Sequence, residues 1–293
     1  MTQKKTSIGV IFGAAALLSL SALQGCFGDE TFEASIFDTT PPARTELDWW
    51  LYNNFTAPYN IEVQYKWDYS EVDWARHPTP AAEDKVKELM EALLQTWVKA
   101  CAAVGGEDFF KTTAPKQLFL VGSELIEEGS GSKNLGYAEG GRRITLTEVN
   151  HLSFAPENRE RLIHFMKTTH HEFTHIVNQV KMYTPEFQKI TAGGYVSTWT
   201  LPSEQDAYDN GFVSKYARSS PNEDFAEMVG FMATTSKEEW EDKINKSQTE
   251  YGKSKIREKE KVVADYYMSS WSLDIYALRD SVQAAIKRIT NEH

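Results

Sequence analysis

The sequence of 293 residues predicts an α+β fold, in which a small mixed sheet is combined with a larger number of helices. Three short segments have strand patterns: residues 61–67 alternate between apolar and polar side chains, residues 117–121 are mainly apolar, and residues 144–149 include Ile144, Leu146 and Val149. Three longer segments, at about 81–103, 156–180 and 237–291, repeat apolar side chains at helical spacing. The composition, with 41% hydrophobic and 25% charged residues, is typical of a globular protein.

The first 25 residues have the pattern of a secretory signal peptide. Two lysines precede an apolar run over residues 8–23, which is shorter than a membrane-spanning helix and diluted by small residues. The run ends in the tetrapeptide Leu-Gln-Gly-Cys, which resembles the lipobox of bacterial lipoproteins and implies lipidation of Cys26. An ordinary cleaved signal peptide and a short membrane anchor are the alternatives.

The domain organisation follows from composition. Residues 26–45 are polar and interrupted by prolines, which is typical of a flexible tether. Residues 46–293 then form a single folded domain, whose last part, 237–293, is helical. Acidic residues close to Cys26 resemble the signal that sends some Gram-negative lipoproteins to the outer face of the outer membrane. We therefore expect a lipid-anchored protein that faces the cell surface.

The folded part begins with an aromatic-rich segment, residues 47–74, which favours core packing over a platform for stacked carbohydrate. The helix predicted at 81–103 includes Cys101 within its apolar pattern. Because Cys26 would carry lipid, Cys101 has no disulfide partner, and we expect a buried, inert thiol. A loop-rich stretch, residues 183–214, precedes a second helix that begins near Asn222.

The charge excludes one class of partner. The formal net charge is −11, whereas nucleic-acid binding requires clustered lysine and arginine side chains. No long block of one sign is present, so the acidic balance indicates a solvated surface.

Residues 171–175, His-Glu-Phe-Thr-His, form an HExxH motif on the helix predicted at 156–180. Side chains four residues apart lie on one face of a helix, so His171 and His175 can bind one zinc ion. Glu172 can take a proton from a water molecule whose pKa zinc lowers, and would be the general base. The alternative is a pair of helix histidines beside a solvated glutamate, but the apolar neighbours of the motif disfavour it.

A third ligand is needed, and its type distinguishes classes of zinc protease. The extended motif of metzincins is absent, because Asn178 and Lys181 occupy its glycine and histidine positions. Glu223 and Glu227 instead lie four residues apart on the second helix, within an apolar frame. This pattern is typical of gluzincins and of a zincin-like fold. We assign Glu223 as the third ligand and Glu227 as the residue that orients a ligand histidine through its free ring nitrogen. A solvent-facing acidic helix start is the alternative.

The segment Lys-Tyr-Ala-Arg at 215–218, followed by residues 222–227, resembles the second half of the catalytic domain of lethal-factor-type toxin proteases. In that family a tyrosine seven residues before the glutamate ligand helps to stabilise the oxyanion. The resemblance gives this role to Tyr216. Tyr195 and Tyr208 are weaker alternatives.

The remaining histidines near the motif are expected to have other roles. His170 points about 100° away from His171 around the helix, so a packed or supporting histidine is favoured over a ligand. His164 lies two turns before His171 on the same face and could line the cleft. His151 could reach a substrate.

The combination of a lipobox, an aromatic N-terminal strand and the segments HHEFTH, GFVSKYA and EDFAE resembles a further family across nearly the whole chain. These are the substrate import-associated zinc metallohydrolase lipoproteins, which accompany TonB-dependent outer-membrane import systems. The resemblance implies one zinc ion per chain, hydrolysis and surface localisation.

The leading functional prediction is a zinc metallopeptidase that acts on a peptide or protein substrate. Residues 143–147, which are part of a predicted strand, could align this substrate as an added strand. A non-catalytic component that captures peptide or glycan for a neighbouring importer is the main alternative. Hydrolysis of a non-peptide amide would need the same residues.

Overall fold

Helices surround a small sheet in the computed structural model of the protein. The structure describes residues 43–67, 69–72, 74–126, 133–134, 136–139, 142–155 and 158–290. The signal peptide, the lipidation site at Cys26 and nearly all of the predicted tether lie outside these residues, as does the helix start predicted near residue 156. The residues from Arg44 onward form one compact unit.

The main sheet has four strands in the order β1-β2-β6-β5. Strand β2 runs parallel to both β1 and β6, whereas β5 runs antiparallel to β6, so the sheet is mixed as predicted. Two further strands, β3 and β4, pair with each other. The strand bounds are β1 Glu62–Gln64, β2 Gln117–Leu120, β3 Leu125–Ile126, β4 Lys133–Asn134, β5 Gly136–Glu139 and β6 Arg143–Leu146.

The topology corrects one prediction. The strand that includes Arg143, predicted to align the substrate through residues 143–147, is β6, and both of its edges are already paired within the sheet. A substrate cannot add to it, because its backbone hydrogen-bonding groups are occupied. Among the described strands, β5 pairs on one side only, so it is an edge of the main sheet.

The helices account for most of the described chain. Their bounds are α1 Glu46–Leu51, α2 Ala57–Tyr59, α3 Glu83–Leu93, α4 Ala100–Gly105, α5 Glu107–Thr113, α6 Arg159–Val180, α7 Glu186–Lys189, α8 Glu204–Asp209, α9 Pro221–Thr234, α10 Lys237–Asn245, α11 Glu250–Trp271 and α12 Ile275–Thr290. Wide helical turns at Tyr52–Thr56 and Leu94–Lys99 link α1 to α2 and α3 to α4. None of the described helices has the length and apolar character needed to cross a bilayer.

The fold class predicted from the sequence is confirmed, and the differences are local. The predicted helix 81–103 is α3 and α4 with a wide turn between them, and the stretch expected to be loop-rich contains the short helices α7 and α8. The strand predicted over residues 61–67 is limited to β1, although its alternation is real: Ile61 and Tyr65 are buried while Glu62 and Lys66 are exposed. Cys101 is buried as expected, and burial raises the pKa of its thiol.

An aromatic cluster anchors α6 in the core. The ring of Phe173 lies 5.5 Å from that of Trp97 and 5.6 Å from that of Phe110, measured between centroids. All three side chains are almost fully buried. Burying a side chain of this size stabilises the fold by about 1.5–3 kcal/mol. Because Phe173 lies between the two motif histidines in sequence, this packing fixes the rotation of α6 and therefore the direction in which the histidines point.

Candidate metal centre

Helix α6 carries the whole HExxH motif in its second half. His171 and Glu172 are buried, and His175 is partly exposed. One nitrogen or oxygen atom from each of these three side chains lies within 4.8 Å of the others. The helical spacing therefore brings the two imidazoles and the carboxylate together, as the sequence predicted.

Glu223 reaches the same point from α9. Its Oε2 atom lies 3.0 Å from His171 Nε2 and 3.3 Å from His175 Nε2, and the two Nε2 atoms are 3.3 Å apart. Three potential ligand atoms from two helices therefore converge on one small volume.

The start of α9 positions Glu223. Ser220 is the N-cap residue, and its hydroxyl accepts a hydrogen bond from the Glu223 backbone N–H at 3.2 Å. Pro221 occupies the first helical position, where its fixed φ favours helix initiation. Because the Ser220 hydroxyl caps this N–H, the Glu223 side chain is not needed for capping and extends towards α6. Its carboxylate also benefits from the positive end of the helix dipole.

Comparison with known proteins identifies the family. The family described as "putative zinc-binding metallo-peptidase" matches residues 40–276, which is more than half of the chain. The chain belongs to this family. The crystal structure of a "putative zinc-binding metallo-peptidase" from Bacteroides caccae is similar, with 30% sequence identity, 88% of this chain and 97% of that chain covered, and a TM-score of 0.71. No curated protein matches the chain.

The distances between the donor atoms fit zinc, the metal that the family description names. Two donor atoms that bind one tetrahedral zinc ion at about 2.0–2.1 Å are separated by roughly 3.3 Å. The three separations between His171, His175 and Glu223 are 3.0, 3.3 and 3.3 Å. Imidazole nitrogen and carboxylate oxygen are also donors that zinc prefers.

The electrostatics of the site favour a bound cation. Burial opposes protonation of His171, but the carboxylates of Glu223 and Glu227 lie beside its two ring nitrogens and raise its pKa to about 9. Burial would raise the pKa of Glu223, but hydrogen bonds from His171 and His175 hold it well below the usual range. Positive charge is therefore strongly stabilised here, and a metal ion can supply it in place of a proton.

Glu227 lies behind His171, one helical turn after Glu223. Its Oε1 atom is 3.0 Å from His171 Nδ1 and accepts a hydrogen bond from the Lys167 ammonium at 2.7 Å. Its Oε2 atom accepts a hydrogen bond from the Ser214 hydroxyl at 2.7 Å. Burial would raise its pKa, but the contacts with Lys167 and His171 hold the pKa well below its usual range. Glu227 is thus a buried carboxylate beside Nδ1 of His171, while Nε2 of the same ring faces Glu223 and His175.

Tyr216 precedes α9 and lies over the site. Its ring centroid is 5.9 Å from that of His171 and 4.9 Å from that of Trp199, against which it packs edge to face. Its pKa is raised, first by loss of solvent around the hydroxyl and then by the negative charge of Glu223, to which it hydrogen-bonds. The phenol is therefore protonated at neutral pH and can act as a hydrogen-bond donor.

The alternative tyrosines have other contacts. The Tyr195 hydroxyl donates a hydrogen bond to Asp224 Oδ2 at 2.9 Å, and Tyr208 is a buried residue that lies near the ammonium group of Lys243. Neither contact involves the histidines of the motif. Of the three tyrosines considered, Tyr216 is the one whose ring lies beside His171.

The other histidines are separated from the two at the centre of the site. His170 is buried, and its Nε2 lies 3.1 Å from the carbonyl oxygen of Thr96, which belongs to a wide helical turn. His164 lines a cavity next to the site. His151 is exposed and lies instead near Glu148, with 3.9 Å between Nδ1 and Oε2.

A glycine allows α9 to approach α6. A Cβ atom at Gly230 would lie 3.1 Å from Lys167 Cγ, 3.2 Å from the Lys167 carbonyl oxygen and 3.5 Å from His171 Cβ. The two distances to Lys167 are tighter than most van der Waals contacts, and the third is an ordinary contact. The absence of a side chain therefore lets α9 come close enough for Glu223 and Glu227 to reach His171 on α6.

Several side chains that support the site were not predicted from sequence patterns. Lys167 and Ser214 hold Glu227, and Lys259 on α11 forms an ion pair of 2.7 Å with Asp224, the residue after Glu223. Helical spacing gave a partial signal for Lys167 alone, which lies one turn before His171. Ser214 and Lys259 approach through long-range packing, which a local pattern does not encode.

Proposed function

We propose that the protein is a zinc-dependent peptidase of the gluzincin type. His171, His175 and Glu223 would hold one zinc ion per chain. The observation that carries the proposal is the separation of 3.0–3.3 Å between the three donor atoms, beside the buried carboxylate of Glu172. Membership of the zinc-binding metallo-peptidase family supports the assignment.

Each side chain would have a distinct task in peptide hydrolysis. Zinc, when bound, supplies Lewis acidity that polarises a carbonyl group and makes a water molecule more acidic. Glu172 accepts a proton from the attacking water and then delivers a proton to the leaving amine. The Tyr216 hydroxyl donates a hydrogen bond to the oxygen on which negative charge develops. Glu227 holds the His171 ring in the orientation that the metal requires.

The edge strand β5 would align the peptide. It is an edge of the main sheet, and Gly136 brings it close to α6: a Cβ atom there would lie 2.6 Å from Thr168 Cγ2. An extended peptide that pairs with β5 would therefore lie alongside the helix that carries His171 and His175. This assignment replaces the one made for β6.

A non-catalytic binding role is less well supported. A structural zinc site is closed by four protein ligands. Among the described residues, two imidazoles and one carboxylate surround the proposed ion position at donor distances, and Glu172 is within 4.8 Å of both histidines. With His171, His175 and Glu223 as the ligands, Glu172 would be a buried carboxylate beside the fourth coordination position, which favours catalysis.

The location and partners are a separate part of the proposal. We infer from the lipobox that the protein is held at the outer membrane by lipid on Cys26, facing the cell surface, and that it acts beside a TonB-dependent importer. Labelling with a fatty-acid probe and protease accessibility on intact cells test this. Loss of the label in Cys26→Ala is the expected result, and labelling that persists in this variant would contradict it.

Hydrolysis is tested by digesting a proteome-derived peptide library with the full-length, zinc-loaded protein. Glu172→Gln should reduce the rate by about a hundredfold to ten-thousandfold, because it removes the proton acceptor. Tyr216→Phe should lower kcat by about tenfold to a thousandfold with little change in KM, because its hydrogen bond strengthens in the transition state. Neither variant should lose zinc.

Metal analysis completes the test. Glu223→Ala should lower zinc occupancy, whereas Glu239→Ala, which changes a carboxylate outside the proposed ligand set, should not. Unchanged hydrolysis by Glu172→Gln would overturn the catalytic assignment. Full zinc occupancy in Glu223→Ala would overturn the ligand assignment.

A further inference from the structure

A cavity of about 630 Å³ opens next to the proposed metal centre. It shares Ser214, Tyr216 and Glu227 with the surroundings of that centre, and His164 on α6 and Lys243 on α10 also line it. A group bound in this cavity would therefore lie close to a peptide bond that is bound at the proposed metal centre, beside Tyr216. We call it the Lys243 cavity.

Lys243 lies within the Lys243 cavity and has no carboxylate partner in the described part of the chain. Its Nζ atom is 3.9 Å from the centroid of the Phe231 ring and 3.4 Å from the Tyr208 hydroxyl. Among the described residues, no carboxylate oxygen lies within the 4.0 Å ion-pair distance of this ammonium group. The half-buried ammonium group thus contacts a neutral hydroxyl and an aromatic ring, and neither supplies the negative charge that would fully compensate it.

The other charged side chains of the Lys243 cavity are engaged or lie at its rim. Lys167 pairs with Glu227 at 2.7 Å, and Arg159 pairs with Glu239 at 3.1 Å. The exposed residues at the rim are Glu160, Glu204, Asp242 and Lys246. Three carboxylates and one ammonium group thus surround the opening, whereas the unpaired charge inside is that of Lys243.

The surroundings of Lys243 change the pKa of its ammonium group. Loss of solvent, and then the nearby positive charge of Lys246, lower its pKa to about 8, although Glu227 and Glu204 act in the opposite direction. A carboxylate bound beside the ammonium group would reverse this effect. The aromatic faces of Tyr208 and Phe231 would meanwhile contact the aliphatic part of the ligand.

We propose that the Lys243 cavity is a substrate-specificity site that receives a carboxylate of the peptide, with Lys243 as its ion-pair partner. The carboxylate would belong to an acidic side chain or to the C-terminus of the peptide, close to the scissile bond. The cleavage preference that this site would cause rests on the proposed peptidase function. Carboxylate binding itself can be measured without turnover.

Binding is measured by calorimetry on full-length, zinc-loaded protein with the Glu172→Gln substitution, which prevents cleavage. Three probes separate the sources of the carboxylate: acetyl-Ala-Ala-Glu-Ala-Ala-amide, the same peptide with glutamine in place of glutamate, and the glutamine peptide with a free C-terminus. At least one carboxylate-bearing peptide should bind about tenfold more tightly than the neutral one, as expected for a charge-assisted hydrogen bond.

Three variants identify the residue responsible. Lys243→Met keeps the aliphatic stem and should abolish the preference, whereas Lys243→Arg, which keeps the charge, should retain most of it. Lys237→Met is the matched control, because Lys237 is an exposed lysine on the same helix outside the Lys243 cavity. Thermal unfolding and zinc content show whether each variant is folded and loaded.

The peptide-library digest gives the catalytic readout. Cleavage products of the wild-type protein should be enriched in acidic residues at one position, or in free C-termini at a fixed distance, and Lys243→Met should lose this enrichment. If no peptide is cleaved but carboxylate binding still depends on Lys243, the proposed hydrolysis fails and the binding site stands. Equal binding of the three probes, or a preference that survives in Lys243→Met, would overturn the inference.

Discussion

At the scale of single residues, Glu227 connects the proposed metal site to its support. Its carboxylate is fully enclosed and contacts Lys167, His171 and Ser214 within 3.0 Å. A buried carboxylate is tolerated only when its charge and lone pairs are satisfied. These partners therefore keep Glu227 ionised, and an ionised Glu227 in turn favours the tautomer of His171 whose Nε2 could bind the proposed metal.

The first prediction concerns the contact between Glu227 and His171. Glu227→Gln should weaken zinc binding by about tenfold to a hundredfold, because a neutral amide orients and polarises the ligand histidine less well. It should also lower the free energy of unfolding by about 3 kcal/mol, because Lys167 loses the negative charge that compensates it. Zinc competition with a chelator and equilibrium unfolding in urea measure the two effects.

An ion pair at the surface provides the control for Glu227→Gln. Glu239 pairs with Arg159, and the side chain of Glu239 is 41% exposed compared with 3% for Glu227. Glu239→Gln should change stability by less than about 1 kcal/mol, as is usual for exposed ion pairs. Zinc affinity that is equal in the wild type and Glu227→Gln would contradict the supporting role.

The residues at the centre of the proposed metal site could be predicted because they are close together in sequence on single helices. His171 and His175 are four residues apart on one helix, as are Glu223 and Glu227 on another, and a helix converts this spacing into one shared face. The partners Lys167, Ser214 and Lys243 were not predicted as such. Their positions depend on how α6, α9 and α10 pack, which no short motif specifies.

At the scale of elements, a buried ion pair joins α9 to α11. Lys259 Nζ lies 2.7 Å from Asp224 Oδ2, and it also donates a hydrogen bond to the Gly211 carbonyl oxygen at 2.8 Å. Both charged side chains are completely buried. Because Asp224 follows Glu223, the pair fixes the first turn of α9, from which the proposed third ligand extends.

The second prediction is that this ion pair controls both stability and metal binding. Lys259→Met should lower the free energy of unfolding by about 3–5 kcal/mol, because it leaves the buried Asp224 carboxylate without its cation. It should also weaken zinc binding, since Glu223 would no longer be held in place. The double variant Lys259→Met with Asp224→Asn should be more stable than the sum of the single effects indicates.

An exposed ion pair on the same helix, α11, serves as the comparison. Lys261 and Asp265 are 76% and 64% exposed, respectively, so Lys261→Met should change stability by less than about 0.5 kcal/mol. Additive effects of the two buried substitutions in the double variant would show that the pair is not coupled. Unchanged zinc affinity in Lys259→Met would show that it does not position Glu223.

The elements themselves were predicted with uneven success, for physical reasons. Helix α6 ends at Val180 as expected, and α9 begins at Pro221, close to the predicted start, because strong apolar periodicity and a capping sequence mark these boundaries. Strand β5 lacks such a signal, since it is short and lies next to glycine-rich sequence. Residues 143–147 were therefore expected to align the substrate, although β6 is paired on both sides.

At the scale of the whole molecule, the fold does not depend on metal for its core. The largest cluster of buried apolar side chains extends from α1 to α12 and includes Trp97, Phe165 and Phe225. A core of this size stabilises a domain without a metal, in contrast to small zinc-dependent modules. We therefore expect the metal-free protein to remain folded, with the metal adding stability where α6 and α9 meet.

The last prediction is that stabilisation by zinc increases with pH. In the metal-free protein, Glu223 and Glu227 raise the pKa of His171 to about 9, compared with about 6.5 in an unfolded chain. A raised pKa in the folded state means that proton binding stabilises the fold fully below about pH 6.5, and that this contribution is lost as the pH rises through 9. Zinc replaces the proton, so the stability difference between the zinc-loaded and metal-free proteins should widen over this range.

Thermal unfolding at pH 6.5, 7.5 and 9 tests this prediction, with zinc-loaded and chelator-treated protein at each pH. Free zinc is held at one concentration at every pH, equal to about a thousand times Kd at pH 7.5. At that pH it should add about 4 kcal/mol, which raises Tm by roughly 10 °C. In Glu223→Ala the difference should be small at every pH, because one ligand is missing and the main cause of the raised pKa has been removed. A difference that stays constant or narrows from pH 6.5 to 9 would mean that zinc and the His171 proton do not compete for the same position.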